Sequence, residues 1–182
     1  MLHNPRKIDT YYKLNYTQIF LKLFSYIICM DHKDLFKEAV RTIRRADHLT
    51  YMTLPLVKDN KLILVIIENI NISMIHGMNS VLEYERYYKR IGPLPQNFNS
   101  RFDIFRVKLI NKYGISTEEA DLIRMLKENI EAHKSSPVEF SRPDKFVICN
   151  ENYRMKTISV PDIKQYILIA KGFLKKIENI AK

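Results

Sequence analysis

The chain has 182 residues, 46% of them hydrophobic and 27% charged, which are the proportions of a globular protein and exclude wholesale disorder. Lys and Arg number 30 against 20 Asp and Glu, a net charge of +10. Only four glycines are present, about a third of the usual share of roughly 7%, which disfavours many-stranded β folds and Gly-rich phosphate loops.

Residues 19–30 read IFLKLFSYIICM behind Arg6, Lys7 and Lys13. Lys22 interrupts this stretch and no small-residue cleavage site follows, so it does not read as a signal peptide. It is also shorter than the ~20 residues a membrane span needs, and no membrane crossing is expected. Residues 15–29 suit a short helix within an N-terminal extension, 1–29. The main domain, 30–182, is expected to fold without it.

Asp31 is a good N-cap for a first long helix. Leu35, Ala39, Ile43, Ala46, Leu49, Thr53 and Leu56 then recur at spacings of three and four, one face of a helix. Pro55 must kink or end it, because it lacks an N–H and clashes with the preceding turn. Asp59 or Asn60 caps a second long helix, expected to run to Ile91. Its stripe is Ile63, Ile67, Ile70, Met74, Gly77, Val81, Tyr84 and Tyr88. Gly77 is costly inside a helix, so its expected use is close approach of a neighbour. Gly92, Pro93 and Pro95 then stop the chain from continuing as helix.

Phe102, Phe105, Leu109 and Ile110 mark a further helix, ended by Gly114. Ser116 with Glu119 forms a capping box for the next, which runs to about His133. Residues 145–149 and 153–160 are β-branched and aromatic about an NEN turn, and predict a hairpin within 145–159. Pro161 and Asp162 start a last helix, with Ile163, Tyr166, Ile167, Ala170, Phe173, Leu174 and Ile177 facing inward. The expected fold is all-α: an antiparallel bundle with two long helices, several shorter ones and one small β-hairpin.

Cys29 and Cys149 stand alone, outside any CxxC spacing, which removes zinc ribbons and thioredoxin-type chemistry and suits a reducing cytoplasm. His3, His32, His48, His76 and His133 lack metal-ligand spacing. No metal and no small-molecule cofactor is expected. His76 lies among Asn69, Asn71, Ser73 and Asn79, polar groups that can satisfy one another inside a core.

The positive charge concentrates in residues 86–112, where seven cations meet a single carboxylate, Asp103. Arg86, Lys89, Arg90, Arg101, Arg106, Lys108 and Lys112 alternate with Tyr87, Tyr88, Phe98, Phe102 and Phe105. Cations interleaved with rings suit single-stranded RNA. The competing reading turns the rings into the core and the cations to water. A second stripe, Arg41, Arg44, Arg45 and His48, is offset by Glu38 and Asp47 and reads as a salt-bridged face.

Two long antiparallel helices followed by shorter ones, in a basic chain of this size, resemble the HEPN superfamily over residues 31–182. Residues 135–160, SSPVEFSRPDKFVICNENYRMKTISV, are similar to archaeal-type members without assigned activity. The resemblance implies a small dimeric bundle, often an RNase or an RNA-binding protein. Catalytic members carry an Arg, a polar residue and then a His after four to six intervening residues. Here residues 127–133 read KENIEAH, so Lys127 stands in the place of the Arg and His133 in that of the His. A point ammonium stabilises a phosphorane less well than a bidentate guanidinium. Function is therefore expected to be non-catalytic binding of RNA or a ribonucleoprotein by a cytoplasmic homo-oligomer. The alternatives are a metal-independent endoribonuclease using Lys127 and His133, and a helical protein–protein adaptor with no nucleic-acid role.

Overall fold

A computed structural model describes residues 30–57, 59–136, 138–142, 145–149 and 155–181. The chain partitions between Asp31 and His32, and the bundle belongs to the second unit. The reading of 1–29 as an extension lies outside the described residues.

The first helix, α1 (His32–His48), passes through a π turn, Leu49–Thr53, into a short α2 (Leu54–Val57). Pro55 accounts for the irregularity. It donates no backbone hydrogen bond, and its ring would press on the carbonyl four residues back. The π turn loosens that contact: the Leu54 N–H reaches back five residues to the Leu49 carbonyl. The Thr50 hydroxyl donates to the Ala46 carbonyl at 2.8 Å. The π turn inserts one residue into the helical register. Of the expected inward positions, Leu49 packs against the core and Thr53 is half-buried, but Leu56 is 81% exposed, and Thr50 and Leu54 are the buried residues of this stretch.

Asp59 accepts the Lys61 N–H at 2.9 Å and shapes the turn into α3 (Leu62–Tyr87). The N-cap is Lys61, without a side-chain cap, rather than Asp59 or Asn60. Helix α3 ends at Tyr87, short of Ile91, because Lys89 adopts φ 56°. The helix runs antiparallel to α1, as two rungs show: Ser73 Oγ donates to the Ala39 carbonyl at 2.8 Å, and Ser80 Oγ to the His32 carbonyl at 2.6 Å. Small hydroxyl residues let the two backbones close up. On the same side of α3, about 40° round from Ser73, a Cβ on Gly77 would lie 2.6 Å from Phe173 Cε1 and 3.0 Å from Leu174 Cδ2. Gly77 is thus the close-approach point expected from the sequence.

Helix α4 (Phe98–Lys108) is capped by Asn97, which accepts from the Ser100 N–H at 2.7 Å. It stops before Leu109 and Ile110, and Gly114, at φ 61°, closes the turns that follow. Helix α5 (Thr117–Ser135) opens on the expected Ser116–Glu119 capping box. The hairpin is present as β2 (Lys145–Cys149) and β3 (Met155–Ser159). A further strand, β1 (Val138–Arg142), joins it in an antiparallel sheet ordered β1-β2-β3. Phe146 pairs with Ile158, and these two with Ile148 join the helical core. Helix α6 (Val160–Ile177) starts from a second capping box, Ser159 with Asp162. Its buried face is the one expected, with Tyr166 only half-buried.

Packed against α1, α4, α5 and α6, α3 is the central helix. Among the described helices it alone is long and apolar enough to cross a membrane by length and composition, and 67% of that window is buried inside the bundle. Core helices of globular proteins share this property.

Candidate nucleic-acid interface

The seven cations of 86–112 separate into three groups. Arg101 is withdrawn from the surface, only 5% exposed. Its Nε donates to the Pro95 carbonyl at 2.7 Å, its Nη1 to Asn79 Oδ1 at 2.9 Å, and Glu83 lies 3.7 Å away. Burial pushes its guanidinium pKa down, against the pull of Glu83. Arg101 is a structural cation that ties the 93–97 loop to α3, and the expectation that it contacts RNA is corrected on this ground. A guanidinium buried to this extent and held by Pro95, Asn79 and Glu83 is not presented to a phosphate at the surface.

Arg86, Arg90 and Lys112 are exposed but tethered. Arg86 Nε donates to Glu83 at 2.6 Å. Arg90 Nη1 and Lys112 Nζ both reach Glu85, at 3.2 and 2.7 Å. The Tyr113 hydroxyl donates to the same carboxylate at 2.5 Å. Burial alone would raise the Glu85 pKa, yet these donors more than offset it and hold the carboxyl below its ordinary value. Burial and then Glu85 push the Tyr113 phenol up, so it remains a donor. Lys89, Arg106 and Lys108 form the third group. They are exposed, and among the described residues they have no carboxylate partner.

The rings divide as well. Phe102 and Phe105 are buried, as the competing reading required. Phe98 is half-buried and stacks on Phe102 at 5.8 Å. Tyr87 and Tyr88 face outward, 69% and 51% exposed. They belong to a cluster with His32 and Tyr84: His32 meets Tyr84 at 5.3 Å and Tyr87 at 5.9 Å, and Tyr84 meets Tyr88 at 4.8 Å. Arg90 lies over Tyr88 and Tyr84, 5.0 and 5.7 Å from the ring centres. A guanidinium over a ring face gains cation–π attraction and loses freedom.

The end of α3 is therefore a cationic and aromatic platform fastened from beneath by Glu85. The sequence pointed to Arg90, Lys112, Tyr87 and Tyr88. Glu85, Tyr113, Tyr84 and His32 were missed. The contiguous Glu85-Arg86-Tyr87-Tyr88-Lys89-Arg90 run was the available signal. The contact of Glu85 with Lys112 and Tyr113, across some 28 positions, had none.

Lys127 and His133 both lie on α5. Lys127 is half-buried, donates to Glu131 at 2.6 Å and sits 5.8 Å from the Phe98 ring centre. Six residues along a helix are a rise of about 9 Å and a rotation of about 120° to the side. The pair does not share one face. Arg41 donates to Glu38 at 2.7 Å, as expected, whereas Asp47 pairs with Lys171 rather than with the arginine stripe. No group of three or more His, Cys, Asp or Glu among the described residues could hold a metal ion.

Protein-family models, curated proteins and solved structures give no match to this chain.

Proposed function

We propose that the chain is a non-catalytic RNA-binding protein of HEPN-like architecture, which grips RNA or a ribonucleoprotein through the end of α3 and the turn after α4. The observation that carries this reading is the platform itself. Exposed Tyr87 and Tyr88 are flanked by Lys89, Arg90 and Lys112, and 86–112 holds one carboxylate against seven cations. Rings supply stacking surface that any base can use, and cations supply phosphate contacts. Two long antiparallel helices with shorter ones after them support the HEPN-like reading. Lys127 in the place of the Arg favours binding over cleavage, because a point ammonium stabilises a phosphorane less well than a bidentate guanidinium.

Titration of labelled single-stranded RNA at several salt concentrations tests this. Replacing Lys89, Arg106 and Lys108 together by Ala should lower the log–log salt slope by about two, at roughly 0.7 per contact. Replacing Arg41, Arg44 and Arg45 should lower it less. Equal slopes for all three proteins would favour a protein–protein adaptor. RNA cleavage in chelator that vanishes with His133→Ala would favour the nuclease.

A further inference from the structure

We infer that the end of α3 is a seat for one unpaired nucleotide of that RNA, its base against Tyr87 and its phosphate against Lys89. This rests on the RNA-binding reading and adds what the site recognises.

Successive residues on a helix point about 100° apart and do not face each other. Tyr87 and Tyr88 nevertheless touch, ring centres 5.2 Å apart and planes at 86°. They can do so because Tyr88 is the C-cap and leaves the helical path, at φ −82° and ψ 11°. Tyr88 is then flanked by Tyr84 and Arg90 and is 51% exposed. Tyr87 is bounded by Tyr88 and His32 and stays 69% exposed. Its ring is held from the side and offers surface to solvent, as a stacking partner for a base requires.

Lys89 carries the second observation. The Lys89 N–H donates to the Arg86 carbonyl at 2.9 Å, and the Arg90 N–H to the Glu85 carbonyl at 2.9 Å. This is a Schellman turn, and its left-handed position normally belongs to glycine. Lys89 occupies it at φ 56°, alone among the described non-glycine residues. Backbone strain of this kind persists where the surroundings impose it and clusters at binding sites. The lysine side chain has no hydrogen bond or ion pair among the described residues to offset the strain. A cation is what the position provides, directly after the edge-to-face rings of Tyr87 and Tyr88.

In an A-form duplex the bases are stacked inward and a protruding ring cannot lie on them. The seat therefore selects single strands or unpaired residues. A single-stranded oligonucleotide with one 2-aminopurine tests this, because stacking on a ring quenches that base. Quenching and at least about tenfold tighter binding than to the matching duplex are expected, from the worth of one stacked base. Tyr87→Ala should abolish the quenching and leave the salt slope unchanged, and Tyr87→Phe should retain it. Lys89→Gly should raise the melting temperature yet lower the salt slope by about 0.7. Equal binding to duplex and single strand without quenching would overturn the seat and leave RNA binding intact. Unchanged binding by Lys89→Gly would overturn the role of the lysine. Absence of saturable RNA binding would overturn the seat together with the reading beneath it.

Discussion

Arg90 is held to Glu85 twice. Its backbone N–H donates to the Glu85 carbonyl at 2.9 Å, and its guanidinium to the Glu85 carboxylate at 3.2 Å. The first bond belongs to the turn that ends α3, and the second orients the cation over Tyr84 and Tyr88. Helix termination and site geometry thus depend on the same pair of residues.

Glu85→Gln should separate stability from charge. The carboxylate is buried and accepts from Arg90, Lys112 and Tyr113. Hydrogen bonds to a charged group are worth about 1.5–3 kcal/mol each, and the amide retains part of them. A loss of about 2 kcal/mol is expected, or a melting temperature lower by roughly 4–8 °C at this chain length. Arg90 and Lys112 would meanwhile be released from their counter-charge. The RNA salt slope should steepen by up to about 1.4, at roughly 0.7 per cation. A shallower slope would show that the tether, not the charge, governs contact with phosphate.

Arg101→Ala should act on stability and not on RNA. The side chain satisfies the Pro95 carbonyl and Asn79 and neutralises buried Glu83. Breaking a buried pair from one side costs about 3–5 kcal/mol. Arg86 still reaches Glu83 from the surface, which places the expected loss near the lower end, about 3 kcal/mol. Urea unfolding measures it. A folded, stable variant with a reduced salt slope would return Arg101 to the binding surface.

Gly77→Leu should overpack the α3–α6 contact. Even a Cβ would fall 2.6 Å from Phe173 Cε1 and 3.0 Å from Leu174 Cδ2, and Ile177 Cδ1 is 3.4 Å away. Helix propensity favours the substitution by less than about 1 kcal/mol, while overpacking costs about 1–3 kcal/mol. Destabilisation is the expected net result, measured by thermal melting. Gly77→Ala should show the same sign with a smaller magnitude, because Phe173 and Leu174 can yield by part of the overlap.

Acid should weaken the bundle in two stages. His76 is 4% exposed, and its Nδ1 finds no partner among the described residues. Burial lowers its pKa from 6.5, against the attraction of Glu38. As pH falls below 6.5 the unfolded chain takes up this proton before the folded one, so stability declines from there until the folded pKa is passed. Glu38 and Glu85 have pKa values lowered from 4.5, so their contribution is present above 4.5 and is lost as pH falls through the folded values. Urea midpoints between about pH 8 and pH 3 should show both declines, and His76→Gln should remove the earlier one. Retention of that earlier decline in His76→Gln would assign it to another group.

Much of the fold was legible because its signals are local. The Ser116–Glu119 box acts over three residues, and the inward face of α6 follows from a period of 3.6 along one stretch. The hairpin and the role of Gly77 were equally open to reading, since a strand pattern or a glycine inside a helix limits what its neighbours can do. Strand β1 was less so: Val138 and Phe140 alternate, but five residues beside a proline carry little periodicity. The π turn was hidden because the stripe through Leu49, Thr53 and Leu56 assumes an unbroken register, and one inserted residue rotates everything after it. At the platform, composition identified the segment but could not sort its cations. Whether an arginine meets water or the core depends on residues far along the chain. Asn79 stands 22 positions before Arg101 and Glu85 27 positions before Lys112, and no local pattern encodes such a meeting. Only the packing of α4 and its following turn against α3 buries Arg101, tethers Lys112 and leaves Lys89, Arg106 and Lys108 exposed.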